Sequence, residues 1–113
     1  MLIMDEMVDF VMENIGECFD CAINFLHINK ILFISCFLKS KFVKELEKGN
    51  EHYCFGLSGV EFLDLIIHEF DIKVSKDSKE YSCLFDRSKE YWIGYISTFY
   101  VFAEEKTYKY LFN

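Results

Sequence analysis

Between residues 4 and 26, apolar side chains recur at intervals of three and four: Met7, Phe10, Val11, Ile15, Cys18, Phe19, Ala22, Ile23 and Leu26. A half-buried strand needs strict alternation, whereas this spacing puts the set on one face of a helix. The same segment carries six acids (Asp5, Glu6, Asp9, Glu13, Glu17 and Asp20) and no Lys or Arg. Acids near the start complement the positive end of the helix dipole. Gly16 weakens the middle by about 1 kcal/mol relative to Ala and marks a point where the helix can break. Such a stripe must be buried, so the rest of the chain has to supply its partners.

The remaining patterning is mostly helical too. Lys30–Lys48 predicts a second helix. Its first half, Ile31–Leu38, is apolar nearly all round, which implies burial on several sides. Its second half buries Phe42, Val43 and Leu46, and Gly49-Asn50 is a C-terminal stop. Ile31–Leu38 is also where a strand competes, because it is β-branched and aromatic. Residues 50–57 read as a loop. Ser58, with Glu61 three positions on, has capping-box spacing and opens a third helix that ends near Phe70–Ile72. Residues 73–87 are polar without a helical period, and two extended pieces near residues 72–85 could pair as one small hairpin. Ser88 caps a fourth helix to about Glu105. Trp92, Ile96, Phe99, Tyr100 and Ala103 lie on one side of it, and Tyr91, Tyr95, Thr98 and Phe102 on another. Gly94 inside it implies close approach of a neighbouring backbone. Thr107 caps a last turn, Tyr108–Phe112. With no proline, repeat or linker, the expectation is one all-α domain spanning 1–113, a compact bundle of about four helices.

Composition narrows the function classes. The 19% aromatic content suits a folded core. The formal charge of -7 repels nucleic acid and anionic membrane and suits a basic protein partner. The acids are concentrated in residues 1–26, whereas residues 27–48 hold five Lys against two Glu, so these two segments could attract each other if packed antiparallel. Five cysteines are an odd number for a disulfide framework. The start lacks the basic region of a signal peptide, and the longest near-apolar run is too short to span a bilayer. These features predict reduced thiols, a cytoplasmic location and no membrane contact.

Catalytic patterns are weak. Cys18-x-x-Cys21 can bind zinc or cycle as a dithiol. However, it lies within the acidic first helix, without a second ligand pair. His68-Glu69 lacks the second histidine of a zinc-protease helix. Ser58, between Gly56-Leu57 and Gly59, serves better as a helix cap than as a nucleophile. No catalytic residue, metal or cofactor is expected. The informative stretch is Asp86-Arg87-Ser88 followed by Tyr91-Trp92. It holds the chain's one arginine, and Arg, Tyr and Trp are the residue types enriched in binding hot spots.

The order of motifs from Phe42 through Glu47-Lys48-Gly49-Asn50, Tyr53, Gly56-Leu57-Ser58-Gly59-Val60-Glu61, Asp86-Arg87-Ser88 and Glu90-Tyr91-Trp92-Ile93-Gly94-Tyr95 to Tyr100 resembles a family of small bacterial proteins. These are often encoded beside ADP-ribosyltransferase-like toxins and look like antitoxin or accessory components. The resemblance covers roughly residues 36–112. Where relatives follow Tyr-Trp-x-Gly with Tyr-Tyr-Gln-Trp, this chain has Phe99-Tyr100-Val101-Phe102. The resemblance implies a partner protein encoded nearby and carries over no catalytic residue. The leading expectation is an antitoxin-like protein that occludes a toxin, with Asp5, Glu6, Asp9, Glu13, Arg87, Tyr91, Trp92 and Tyr95 as its contact residues. A homodimer is compatible with this, and direct nucleic-acid binding is not expected. Two alternatives stand beside it: a phage-encoded inhibitor of a bacterial defence system, acting by protein binding or nucleic-acid mimicry, and a small metal or thiol protein using Cys18 and Cys21.

Overall fold

The computed structural model describes residues 5–112, with side chains from Val8 onward. The described residues are mainly helical and contain no strand: α1 (Asp5–Asp20), α2 (Lys30–Lys39), α3 (Lys41–Glu47), α4 (Glu51–Phe55), α5 (Gly59–Phe70), α6 (Lys89–Ala103) and α7 (Tyr108–Phe112). A π-helical turn, Cys21–Phe25, extends α1, and a single 3-10 turn, Ser78–Glu80, lies between α5 and α6.

The all-α expectation holds, but the bundle has more and shorter helices than four. The Lys30–Lys48 helix breaks at Ser40, whose backbone is extended and whose hydroxyl accepts from the N–H groups of Phe42 and Val43. Glu69 reaches across from α5 to fix the break. Its carboxylate accepts from Ser40 Oγ at 2.7 Å and from Lys41 N–H at 2.9 Å, so the Lys41 N–H freed by the break is satisfied and the capping hydroxyl is held in place. The expected loop at 50–57 contains α4, capped by the Asn50 side chain. The expected hairpin near 72–85 is instead irregular chain around the 3-10 turn, held by Ser78 Oγ donating to Asp64 at 2.7 Å. Gly16 does not break α1; the irregularity comes later, where Leu26 N–H bonds Cys21 O and His27 turns left-handed at φ 56°. Ile31 is 81% exposed and Leu32 47%, so α2 buries one side, through Phe33, Cys36 and Phe37, and not several.

The central packing is α1 against α6, not the acidic segment against the lysine-rich one. The two helices run antiparallel: Ser88 bonds Asp20, Tyr91 meets Gly16, and Gly94 meets Ile15. A Cβ on Gly94 would lie 2.7 Å from the Ile15 carbonyl oxygen, and one on Gly16 would lie 2.9 Å from the Tyr91 ring. Glycine is what lets these helices approach so closely, as the sequence predicts for Gly94. Phe19 lies edge-on to Phe33 and Phe37 at 5.1 and 5.0 Å between ring centres, contacts worth about 0.5–1.5 kcal/mol each beyond burial. Tyr108, fully buried, packs on Phe37, shares a 2.6 Å hydrogen bond with Thr98 and donates its N–H to Glu47 at 2.7 Å. The last short helix is thereby tied to α2, α3 and α6.

Candidate functional site

Two surfaces stand out. The first is the outer face of α6. The helix is apolar on two faces, and the structure assigns them opposite fates. Tyr91, Thr98, Val101 and Phe102 are buried. Trp92, Ile93, Ile96, Phe99 and Tyr100 form a line of large side chains, each 41–50% exposed. With Leu111 and Phe112 of α7 this face borders an open groove of about 460 Å³ whose wall is almost entirely apolar. Scattered exposed apolar residues are ordinary on a folded protein, but a contiguous line of large ones is the kind of patch that interaction surfaces present. Trp92 lies edge-on to Tyr91 at 5.2 Å and to Tyr95 at 5.1 Å between ring centres, so the exposed indole is braced from behind.

The acids of α1 lie on the helix that packs against the inner side of α6. Asp9 and Glu13 are exposed, and Phe10 between them is 45% exposed. The charges of Glu13 and Glu17 are felt at Tyr91. Glu17 itself is pushed above the usual carboxylate range, first by burial and then by Glu13. Arg87 lies 4.8 Å over the Tyr91 ring, beside the same acids. An apolar centre rimmed by charge is the general anatomy of a protein interface.

The second surface is a cleft of about 530 Å³ at the π-helical turn, lined by Asp20, Asn24, Phe25, Tyr81, Arg87 and Ser88 among others. Such turns are frequent at functional sites. Here the carboxylate of Asp20 accepts from Ser88 Oγ at 2.6 Å, Tyr81 Oη at 2.7 Å and Asn24 Nδ2 at 3.0 Å. Asn24 also donates to Glu90, whose other oxygen meets Lys30 at 3.1 Å. Burial, with hydrogen bonds to Cys83 and Asp20, drives the Tyr81 hydroxyl far above its ordinary pKa, so it stays a neutral donor. The network joins α1, the 81–88 segment and α6, and both Asp20 oxygens are taken.

No family model, no curated protein and no solved structure matches this chain.

The expected contact residues divide. Asp9, Glu13, Arg87 and Trp92 are exposed, and Tyr95 is half-buried. Tyr91 is 1% exposed; its ring fills the space that Gly16 leaves, so it is a core residue and not a contact. The expected contacts Asp5 and Glu6 lie outside the described side chains. Of the exposed α6 line, sequence reasoning singled out Trp92 alone as a contact candidate and not Ile93, Ile96, Phe99 or Tyr100, and it missed the Asp20–Asn24–Glu90 network. For α6 the available signal was apolar residues on both faces, since a helix apolar all round is either buried or partnered. Cys18 and Cys21 do face a common interior, but burial, together with the nearby charge of Asp64, raises both thiols, Cys21 to about 12. Near neutral pH they are protonated, whereas a metal ligand or nucleophile is a thiolate. Among the described residues no three His, Cys, Asp or Glu side chains are arranged to hold a metal ion.

Proposed function

We propose that this chain is a binding protein of the antitoxin type, which occludes a partner protein with the outer face of α6. The observation that carries the reading is the line Trp92, Ile93, Ile96, Phe99 and Tyr100, left uncovered on a helix whose other side packs on α1 through Gly94. These residues supply the apolar centre of the contact. Asp9 and Glu13, exposed on α1, steer a basic partner, which chiefly raises the association rate. The partner class, an ADP-ribosyltransferase-like toxin, comes from the resemblance of residues 36–112. Occlusion needs a rigid face, and α6 is held by Gly94 against Ile15 and by Ser88 against Asp20.

The test is co-expression with a candidate ADP-ribosyltransferase-like toxin. Size exclusion should recover a stoichiometric complex with suppressed transferase activity. A transferase that stays fully active and elutes alone would count against the reading. The phage-inhibitor alternative shares the same protein-binding face, and recovery of a defence nuclease in place of a toxin would favour it.

A further inference from the structure

The outer face of α6 matches itself when turned around. Lys89, Trp92, Ile96, Phe99 and Ala103 follow one another at intervals of three, four, three and four, the spacing of a helix–helix seam. Ile96 is the midpoint of Lys89–Ala103 and the most exposed of the five large side chains, at 50%. Lys89 opens the helix and Glu104 closes it. Both charges oppose the dipole of their own helix, because a cation belongs at the C-terminus and an anion at the N-terminus. Neither has an ion-pair partner among the described residues. Two α6 helices laid antiparallel about Ile96 correct both faults. Lys89 then meets Glu104 of the second copy, Trp92 meets Tyr100, and Ile93 meets Phe99.

We infer that in the absence of its partner the protein covers this face with a second copy of itself, as an antiparallel α6–α6 dimer. This rests on the reading of α6 as the binding face and adds a regulation to it, since capture of a partner requires the two copies to separate. The area fits an exchanging dimer. Fully covered aromatics bury roughly 150–250 Å² each, so five side chains somewhat under half uncovered leave on the order of 450 Å² open. A pair of copies then buries about 1,000 Å² with its flanks, near the lower limit for a specific interface.

Sedimentation equilibrium of the full chain over a wide concentration range tests this, with helicity checked by circular dichroism. The parent should be dimeric at high concentration and dissociate on dilution. Lys89→Glu and Glu104→Lys should each raise the dissociation constant about tenfold, because each places like charges together twice. The double exchange should restore it, and Ile96→Lys should leave a folded monomer. A monomer at every concentration, or a dimer indifferent to all of these changes, overturns the inference. Capture of a candidate ADP-ribosyltransferase-like toxin by the same variants separates the two claims. A monomeric parent that loses capture on Ile96→Lys refutes the dimer and spares the binding face, whereas a dimer with capture unaffected by Ile96→Lys refutes the face as the capture site and spares the dimer.

Discussion

Gly94 sets the α1–α6 crossing. Exchanging Gly for Ala inside a helix ordinarily stabilises by about 1 kcal/mol. Here the new methyl would meet the Ile15 carbonyl at 2.7 Å and the Phe19 ring at 3.0 Å, and a backbone carbonyl cannot rotate away. Gly94→Ala is therefore expected to destabilise by about 1–3 kcal/mol in urea unfolding. Asp20 holds a second joint. Asp20→Ala strands the donors of Ser88, Tyr81 and Asn24 and should cost about 2 kcal/mol or more. The carboxylate of Glu90 is held below its usual range by the Asn24 hydrogen bond first and by Lys30. A carboxylate with a lowered folded-state pKa contributes stability above its unfolded value, 4.5, and loses it as pH falls through the folded value. Glu17 and Glu47, both raised first by burial, act in the opposite direction, and their contribution fades as pH rises through their folded values. Glu90→Gln should therefore lose less stability than the parent between about pH 6 and about pH 3 in the same unfolding assay.

At the scale of elements, local signals were legible and long-range ones were not. The Ser58–Glu61 capping box is present with both of its hydrogen bonds, and the Ser88 cap and the close approach at Gly94 are where the sequence places them. The break at Ser40 was hidden because Glu69, which completes it, lies 28 and 29 residues away. The two faces of α6 were separable by spacing, but which one faces water depends on where α1 docks, and Tyr91 was misassigned for that reason. Exposure now makes a distinction that spacing could not. Trp92→Ala and Ile96→Lys should each change unfolding stability by no more than about 1 kcal/mol, as surface substitutions do, while removing partner capture. Helix ends offer a further check. His27 is exposed and left-handed at φ 56°, a conformation that costs a non-glycine residue on the order of 1 kcal/mol. His27→Gly should raise stability by about 0.5–1 kcal/mol, read as a higher urea midpoint at unchanged slope.

At the scale of the whole molecule, an acidic flank, an uncovered apolar helix and a sealed interior make different demands on a partner. The acidic flank predicts an association rate that falls as salt rises, with dissociation much less affected. The sealed interior bears on the thiol alternative. Cys18, Cys21, Cys36 and Cys54 are buried and Cys83 is half-buried. Alkylation of the native protein, followed by mass spectrometry, should label Cys83 first and the other four only on unfolding; rapid native labelling of Cys18 or Cys21 would revive the dithiol reading. The central claim, that the outer face of α6 is where the partner sits, is tested most directly by titrating a candidate ADP-ribosyltransferase-like toxin with the parent chain and with Ile96→Lys while following transferase activity. The account predicts stoichiometric suppression by the parent and none by the folded variant. Equal suppression by both would contradict it.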